Sequence, residues 1–519
     1  MDAIETLRMD VQEGRISADR LCSLVVIQQQ QLEATQQQLE ATQQQLEATQ
    51  HQLESANKRI DELEKKLGGC GTAKVDEAFS MRAEEKRQEA RGKKKAKKKK
   101  KGRKGRFKSA AKIALAERTE PIYPEGVDQG QCKLSHVRPV WRLEDRRAVL
   151  IAYAIYRGPK NAYGKIPGVL GRSEFGMEIA AELAFLIYSM GLSFEKACAV
   201  LGFFQNLQMR KAQADALLNQ LSRHWQGEFE ALCTLLANSC VVHADETGWS
   251  LNSVWALLSE KARLLLFGVH KDAATLEKIL DPATFDGIVI SDDAAVYANF
   301  TKSQKCWAHL LRKAIKLALQ EKDNKKYRDF TDRLLEIYRA ACRVQSDQRL
   351  GDAGRAAKIE ALDLQIFALC EADWRLDLPP LEGIENDYRL LVNEIMRLAL
   401  HEQLFTFVTA APVTQPNGTT QPVAGTNNEA ERTLRQPAER RATGRANKTI
   451  NGARRQTVLT SVLESLRLYL KTFTLASVMD ELERWGKAGQ SCFTKLLKKL
   501  KLRLPESPIL DRILPSPSG

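Results

Sequence analysis

The stretch VVHADETGW, Val241–Trp249, interrupts a helical pattern with a strand that ends in acids. Two valines lead into His243, Ala244, Asp245, Glu246 and Thr247, and Gly248 stops the run. Two more strand-like runs, Trp255–Ser259 and Leu264–Val269, lie on either side of the turn-like EKAR. A helical segment around Ala273–Leu280 follows, then the run GIVIS, which ends in Asp292 and Asp293. An acid at the end of a buried strand has its backbone anchored by the apolar residues before it while its carboxylate faces a rim. Oxygen-only donors of that kind suit Mg2+ or Mn2+. The bland reading is that acids at strand ends only terminate strands.

Three meandering strands, a helix and an acid-terminated strand make the element order of a ribonuclease H-like core. The predicted fold is therefore multidomain, α/β plus all-α, with a mixed sheet over residues 239–475. N-terminal to it, residues 146–238 read as helical: Ala180, Leu183, Ala184, Ile187 and Tyr188 share a face, Gly191 ends that helix, and Ser193 caps the next. The GLS turn, followed by a helix with Arg210 and Lys211, fits either a helix-turn-helix DNA-binding domain or a plain helical bundle. A C-terminal helical tail is expected over 476–519.

Residues 31–51 repeat QLEATQQ with a period of seven, which places Leu32, Leu39, Leu46, Leu53, Ile60 and Leu67 one heptad apart. A coiled coil over 20–67 and self-association through it are expected, although Thr35, Thr42 and Thr49 weaken the second seam. Residues 68–145 shift to Gly, Lys and Arg and read as a basic disordered linker. Of 79 basic residues, 13 fall between Arg91 and Lys108 with no acid among them, and without them the chain is nearly neutral, 66 basic against 65 acidic. Such a tract, with Lys97, Lys98, Lys99, Arg103 and Arg106, holds a phosphate backbone without reading sequence.

Ten cysteines occur with no CxxC pair, which gives neither a zinc ribbon nor a disulfide framework. No apolar run reaches the roughly 18–20 residues of a membrane span, and the N-terminus does not resemble a signal peptide. The expected location is the cytoplasm, on the bacterial nucleoid.

Four stretches, HADETGW (His243–Trp249), GIVISDDAAVY (Gly287–Tyr297), CWAHLLRK (Cys306–Lys313) and NNEAERTLR (Asn427–Arg435), together resemble the insertion-sequence transposases of the sixty-six family. They occur in the family's order, and the resemblance covers roughly residues 150–475. It implies a DDE transposase with a ribonuclease H-like core, in which Asp245, Asp292 and Glu431 are the catalytic acids and hold two Mg2+ or Mn2+ ions. Glu429 also lies in the last motif, but the matching position is Glu431. A glycine commonly follows the second acid in the family, where this chain has Asp293. A cysteine-rich zinc segment is also common there; here the interval holds only Cys70 and Cys132 beside His136, with the lysine tract in its place.

Asp292 and Glu431 are 139 residues apart, so the gap must hold its own structure, read as an all-helical insertion over 320–405. Cys306 and His309 form a CxxH step; two soft ligands alone do not complete a zinc shell, so His309 either positions a phosphate or acid near the centre or is structural. Trp249 and Trp307 are candidates to stack on a terminal base, with core packing favoured for Trp307. Arg435 shares a helix face with Glu431, and Arg441 and Arg445 are read as phosphate clamps. The expected partners are double-stranded DNA, further copies of the chain and small accessory proteins of the element. A transposase-derived DNA-binding protein that no longer cuts, and a ribonuclease H-like nuclease or resolvase, are the rival readings.

Overall fold

The computed structural model describes residues 105–375 and 382–514, and those at 105–374 and 382–514 fall in one compact unit. The coiled coil of 20–67 and Lys97, Lys98, Lys99 and Arg103 lie outside the described residues; Arg106 falls in the first described helix, α1 (Gly105–Ala114).

Helix α1 leads into a three-stranded sheet of β1 (Arg118–Ile122), β2 (Lys133–Glu144) and β3 (Arg147–Arg157), in the order β1-β3-β2. β2 and β3 are antiparallel from Lys133 opposite Arg157 to Glu144 opposite Arg147, and β1 runs parallel to β3 on its other side. This corrects two expectations, of a linker through residue 145 and of helix from 146. Residues 148–155 are buried and almost wholly apolar, so they carry no period that separates a central strand from a buried helix. The hairpin also lacks a glycine signal: Asp145 and Arg146 both take positive φ, 45° and 65°, where Asn-Gly is the usual choice.

From Met177 the chain is helical as expected, with α2 (Met177–Ala184), a π-turn at Phe185–Ser189, α3 (Phe194–Gln205) and α4 (Lys211–Ala237). Ser193 caps α3, its Oγ accepting from the Lys196 N–H at 3.2 Å. Helix α4 runs into the main core: Leu217, Leu221, Phe229 and Leu236 share one apolar cluster with Trp255, Leu257, Leu264 and Leu266 of the next sheet. The helical segment is thus part of the body that carries the candidate site.

That second sheet has five strands in the order β6-β5-β4-β7-β8. β4 (Val241–Gly248), β5 (Ser253–Ser259) and β6 (Arg263–Val269) form the antiparallel meander; β7 (Ile288–Ser291) and β8 (Ser303–Lys305) run parallel to β4. A short helix, α5 (Ala273–Glu277), precedes β7. Helices α6 (Trp307–Gln320), α7 (Lys325–Ser346), α8 (Asp352–Cys370) and α9 (Gly383–Leu400) follow β8, and their Leu334, Ile366, Leu391 and Ile395 share a second apolar cluster with Val241 and Ile290 of the sheet. After α10 (Thr406–Thr409) and a two-residue ribbon of β9 (Val413–Thr414) and β10 (Thr420–Gln421) come α11 (Asn428–Ala442), α12 (Ile450–Tyr469), α13 (Leu475–Ala488), α14 (Cys492–Lys499) and α15 (Ile509–Ile513). No helix among the described residues is long and apolar enough to cross a membrane.

β6 is an edge strand, and α12 covers that edge with hydroxyls. The N–H groups of Arg263, Leu265 and Phe267 donate to Ser465 Oγ, Ser461 Oγ and Thr457 Oγ1 at 2.9, 3.0 and 2.9 Å. Four helix residues rise about 6 Å and two strand residues nearly 7 Å, so a hydroxyl every fourth position meets an outward N–H every second one. Edge groups that would otherwise be buried unpaired are satisfied, and no further strand can add there.

Candidate active site

The sheet sets two of the acids. β4 and β7 pair in parallel with Val242 opposite Val289 and His243 opposite Ile290. Continued by two residues, this register brings Asp245 level with Asp292 at the ends of the two strands. Asp245 accepts one hydrogen bond, from the Glu246 N–H at 2.9 Å, and Asp292 accepts one from the Ala294 N–H at 3.1 Å. Among the described residues neither aspartate forms an ion pair. Burial pushes the Asp245 carboxyl up to about 7, with the neighbouring charges of Glu246, Asp292 and Glu431 acting in the same direction.

Glu431 arrives from the other side of the chain, on the first turn of α11. One buried side chain fixes that arrival. Asn427, fully buried at the start of α11, donates from Nδ2 to the Ala244 carbonyl at 2.8 Å, faces His243 Nδ1 through Oδ1 at 3.2 Å, and donates its N–H to Cys306 Sγ at 3.1 Å. Its own carbonyl accepts the Glu431 N–H at 3.1 Å. A single amide thus ties the strand of Asp245, the CxxH step and the glutamate helix to one another. The other glutamate of the motif, Glu429, pairs instead with Arg263 of β6 at 2.7 Å.

Cys306 closes the second strand pair, its N–H donating to the Ser291 carbonyl at 2.9 Å directly before Asp292. Burial raises its thiol, against the N–H groups of Asn427, His309 and Ala308. His309 Nδ1 lies 3.6 Å from Glu431 Oε1, and Arg312 Nη2 donates to the same oxygen at 2.6 Å. Cys306, His309 and Glu431 bring one ligand atom each within 4.8 Å of one another.

Lys305, Glu246 and Asp293 complete the surroundings, and of these Lys305 lies outside the sequence expectations. Lys305 is 4% exposed, donates to the Asp292 carbonyl at 3.2 Å and Ser291 Oγ at 3.3 Å, and burial lowers its amine. Glu246, next to Asp245, accepts from the Tyr297 hydroxyl and pairs with Lys271 at 2.8 Å, so it is already partnered. Asp293, where the family commonly has glycine, is taken up by Arg397 of α9. A signal was present for Asn427 alone: an amide just ahead of an acid-bearing helix is a capping position.

Other predicted residues fall elsewhere. Trp249 is 6% exposed and packs edge-on against Phe267, ring centroids 5.2 Å apart, beside Ala430 and Leu434; its faces are covered, which corrects its reading as a base-stacking ring. Trp307 is fully buried and donates to the Leu404 carbonyl at 2.6 Å, a core role as expected. Arg441 and Arg445 are exposed, yet both guanidinium groups donate to carbonyls, of Gly248 at 2.6 Å and Gly191 at 3.3 Å, and so tether the end of α11. Arg435 and Arg210 are exposed, and Lys211 pairs with Glu195 at 2.7 Å.

A model of the transposase IS66 family matches residues 172–455, a span that holds all four motifs and more than half of the chain. No curated protein matches it. The chain belongs to the transposase IS66 family.

Proposed function

We propose, from the premise of membership in the transposase IS66 family, that the protein cuts DNA at the ends of its element and joins the freed 3′-hydroxyl to target DNA. Asp245, Asp292 and Glu431 are the acids that carry this chemistry. The observation behind the assignment is the half-buried Asp245, without an ion pair among the described residues and held up at about 7, with Asp292 and Glu431 among the charges it feels. Neither aspartate has a basic partner among the described residues, and each accepts a single backbone hydrogen bond on its carboxylate. The five-stranded mixed sheet, with acids at the ends of β4 and β7, supports a ribonuclease H-like core.

The residues fit divalent metal ions. The three acids offer oxygen donors alone, which suits Mg2+ or Mn2+, and a cation would offset the burial and the neighbouring negative charge that raise the Asp245 carboxyl. When bound, two such ions supply an activated water or 3′-hydroxyl and steady the leaving oxygen of a phosphodiester. The chain's own part is to hold and orient. Asp245 and Asp292 present carboxylates from the ends of neighbouring strands, Asn427 holds the first turn of α11 that carries Glu431, and Lys305 grips the backbone that carries Asp292. Exposed Arg435, one turn beyond Glu431, is free to meet a phosphate.

The basic tract and the heptad region extend this reading. The lysines contribute sequence-independent DNA affinity, and the heptad repeat of the sequence is a means of tethering two copies of the chain so that two element ends are brought together. The test is a supercoiled plasmid bearing the element's inverted ends, incubated with the full chain and Mg2+. Cuts at the ends and joined products are expected, both lost in Asp245→Asn while DNA binding persists. Cleavage that survives the substitution contradicts the assignment; cuts without joining favour a nuclease or resolvase.

A further inference from the structure

The CxxH step is incomplete as a metal site in sequence, because a cysteine and a histidine fill only half of a tetrahedral shell. The fold supplies a third ligand from 122 residues further on, since α11 sets Glu431 against the first turn of α6. We propose that Cys306, His309 and Glu431 form a binding site for a borderline-soft divalent cation of the Zn2+ class, which shares Glu431 with the three acids but adds sulfur and nitrogen to it. The juxtaposition that carries this is thiol, imidazole and carboxylate within 4.8 Å, on a helix start and a helix start facing it.

Three observations fit a ligand role. Ligands at about 2.0–2.2 Å from a tetrahedral ion stand roughly 3.4 Å apart, and His309 Nδ1 and Glu431 Oε1 are 3.6 Å apart without a hydrogen bond between them. His309 Nδ1 is itself buried with no hydrogen-bond partner, a state that a ligating nitrogen leaves on binding. Cys306 Sγ accepts the Asn427 N–H at 3.1 Å, the kind of outer contact that orients a metal-bound sulfur. On binding, the thiol proton passes to solvent and sulfur, nitrogen and one carboxylate oxygen donate to the ion; the fourth position is open to solvent or a phosphate oxygen.

Arg312 acts against the ion. Its guanidinium holds Glu431 Oε1 at 2.6 Å and is over half exposed, so it must move to the other carboxylate oxygen or swing out for the ion to enter. The site also shares Glu431 with the acids of the proposed function, and on that reading a Zn2+ ion here withdraws Glu431 from Asp245 and Asp292 and inhibits Mg2+-dependent cleavage.

The test uses Co2+ as a coloured stand-in, titrated into the full chain without DNA or Mg2+. One equivalent is expected to give the sulfur-to-cobalt charge-transfer band and tetrahedral d–d absorption. Cys306→Ser removes the band, His309→Gln and Glu431→Gln weaken binding at least roughly tenfold, and Cys240→Ser, at an exposed cysteine, leaves it unchanged. Arg312→Gln tightens binding several-fold, a gain that misfolding does not mimic. A band that persists in Cys306→Ser, or that ignores His309 and Glu431, overturns the site, as does weaker binding in Arg312→Gln. Cobalt bound as described by a protein that cuts no DNA supports the site while contradicting the proposed function. Cleavage by a protein that gives no cobalt band does the reverse.

Discussion

The two sheets of this molecule treat charge in opposite ways. Three arginines of the three-stranded sheet each meet an acid: Arg118 both oxygens of Glu144 at 2.8 and 2.6 Å, Arg147 both oxygens of Glu117 just ahead of β1, and Arg142 Glu178 of α2 at 2.7 Å. The Arg118 hydrogen bonds hold the Glu144 carboxyl below the usual carboxylate range. In the five-stranded sheet, Asp245 lies among acids and is driven the other way, up to about 7. Paired acids cost little to keep in a fold; a half-buried carboxyl left among its like is a local conflict, and such conflicts collect at functional sites.

The comparison is broken or sharpened first at Asp245. Asp245→Asn is expected to lower cleavage by roughly a thousandfold or more, the several kcal/mol that a metal ligand supplies, in a plasmid-cleavage assay at fixed Mg2+. The same variant has a second consequence in metal-free protein. Because the folded carboxyl is raised from 3.8 to about 7, its protonated form is the one the fold favours. Below the lower value it imposes no penalty; between about 4 and 7 the unfolded chain ionises while the fold resists, and stability falls as pH rises. Thermal melts in chelator should therefore show Asp245→Asn gaining on the parent protein from pH 4.5 to pH 8, by on the order of 1–3 kcal/mol once solvent screening is allowed for. Added Mg2+ should restore the parent and not the variant. A constant difference across pH would place Asp245 in the paired class.

Asn427→Ala comes next in size. It removes the amide's contacts to the Ala244 carbonyl and His243, and a loss of roughly 10–100-fold in cleavage with Mg2+ affinity weakened in parallel is expected, as for other groups that orient ligands. Glu178→Gln should act on the fold alone, leaving half-buried Arg142 short of its charge partner at about 1–2 kcal/mol of stability, with the specific activity of folded protein unchanged. Arg118→Ala is the smallest: its pair with Glu144 is exposed, so Tm should barely move and cleavage not at all.

The same contrast explains what the sequence disclosed. The half that carries the candidate site was legible because acids at the ends of apolar runs are conspicuous, and the meander, the order of elements and the helical filling of the gap between Asp292 and Glu431 followed from periodicity and length. The three-stranded sheet was not, because β3 is apolar at almost every position and its hairpin turns on Asp145 and Arg146, neither a turn signal in itself. Asn427 opens the stretch NNEAERTLR, but its role depends on one carbonyl and one sulfur partner more than 100 residues away. Trp249 was misread for a related reason: Phe267 and Ala430 cover it through tertiary contacts that no local pattern announces.

The central claim is that Asp245, Asp292 and Glu431 share the same divalent ions. Fe2+ placed in the site of the full chain, with ascorbate and peroxide, generates radicals that cut the backbone beside the bound iron. Cuts next to residues 245, 292 and 431, all suppressed by excess Mg2+, are the predicted result. Cuts confined to the neighbourhood of 306 and 431, or a pattern that Mg2+ does not suppress, would contradict it.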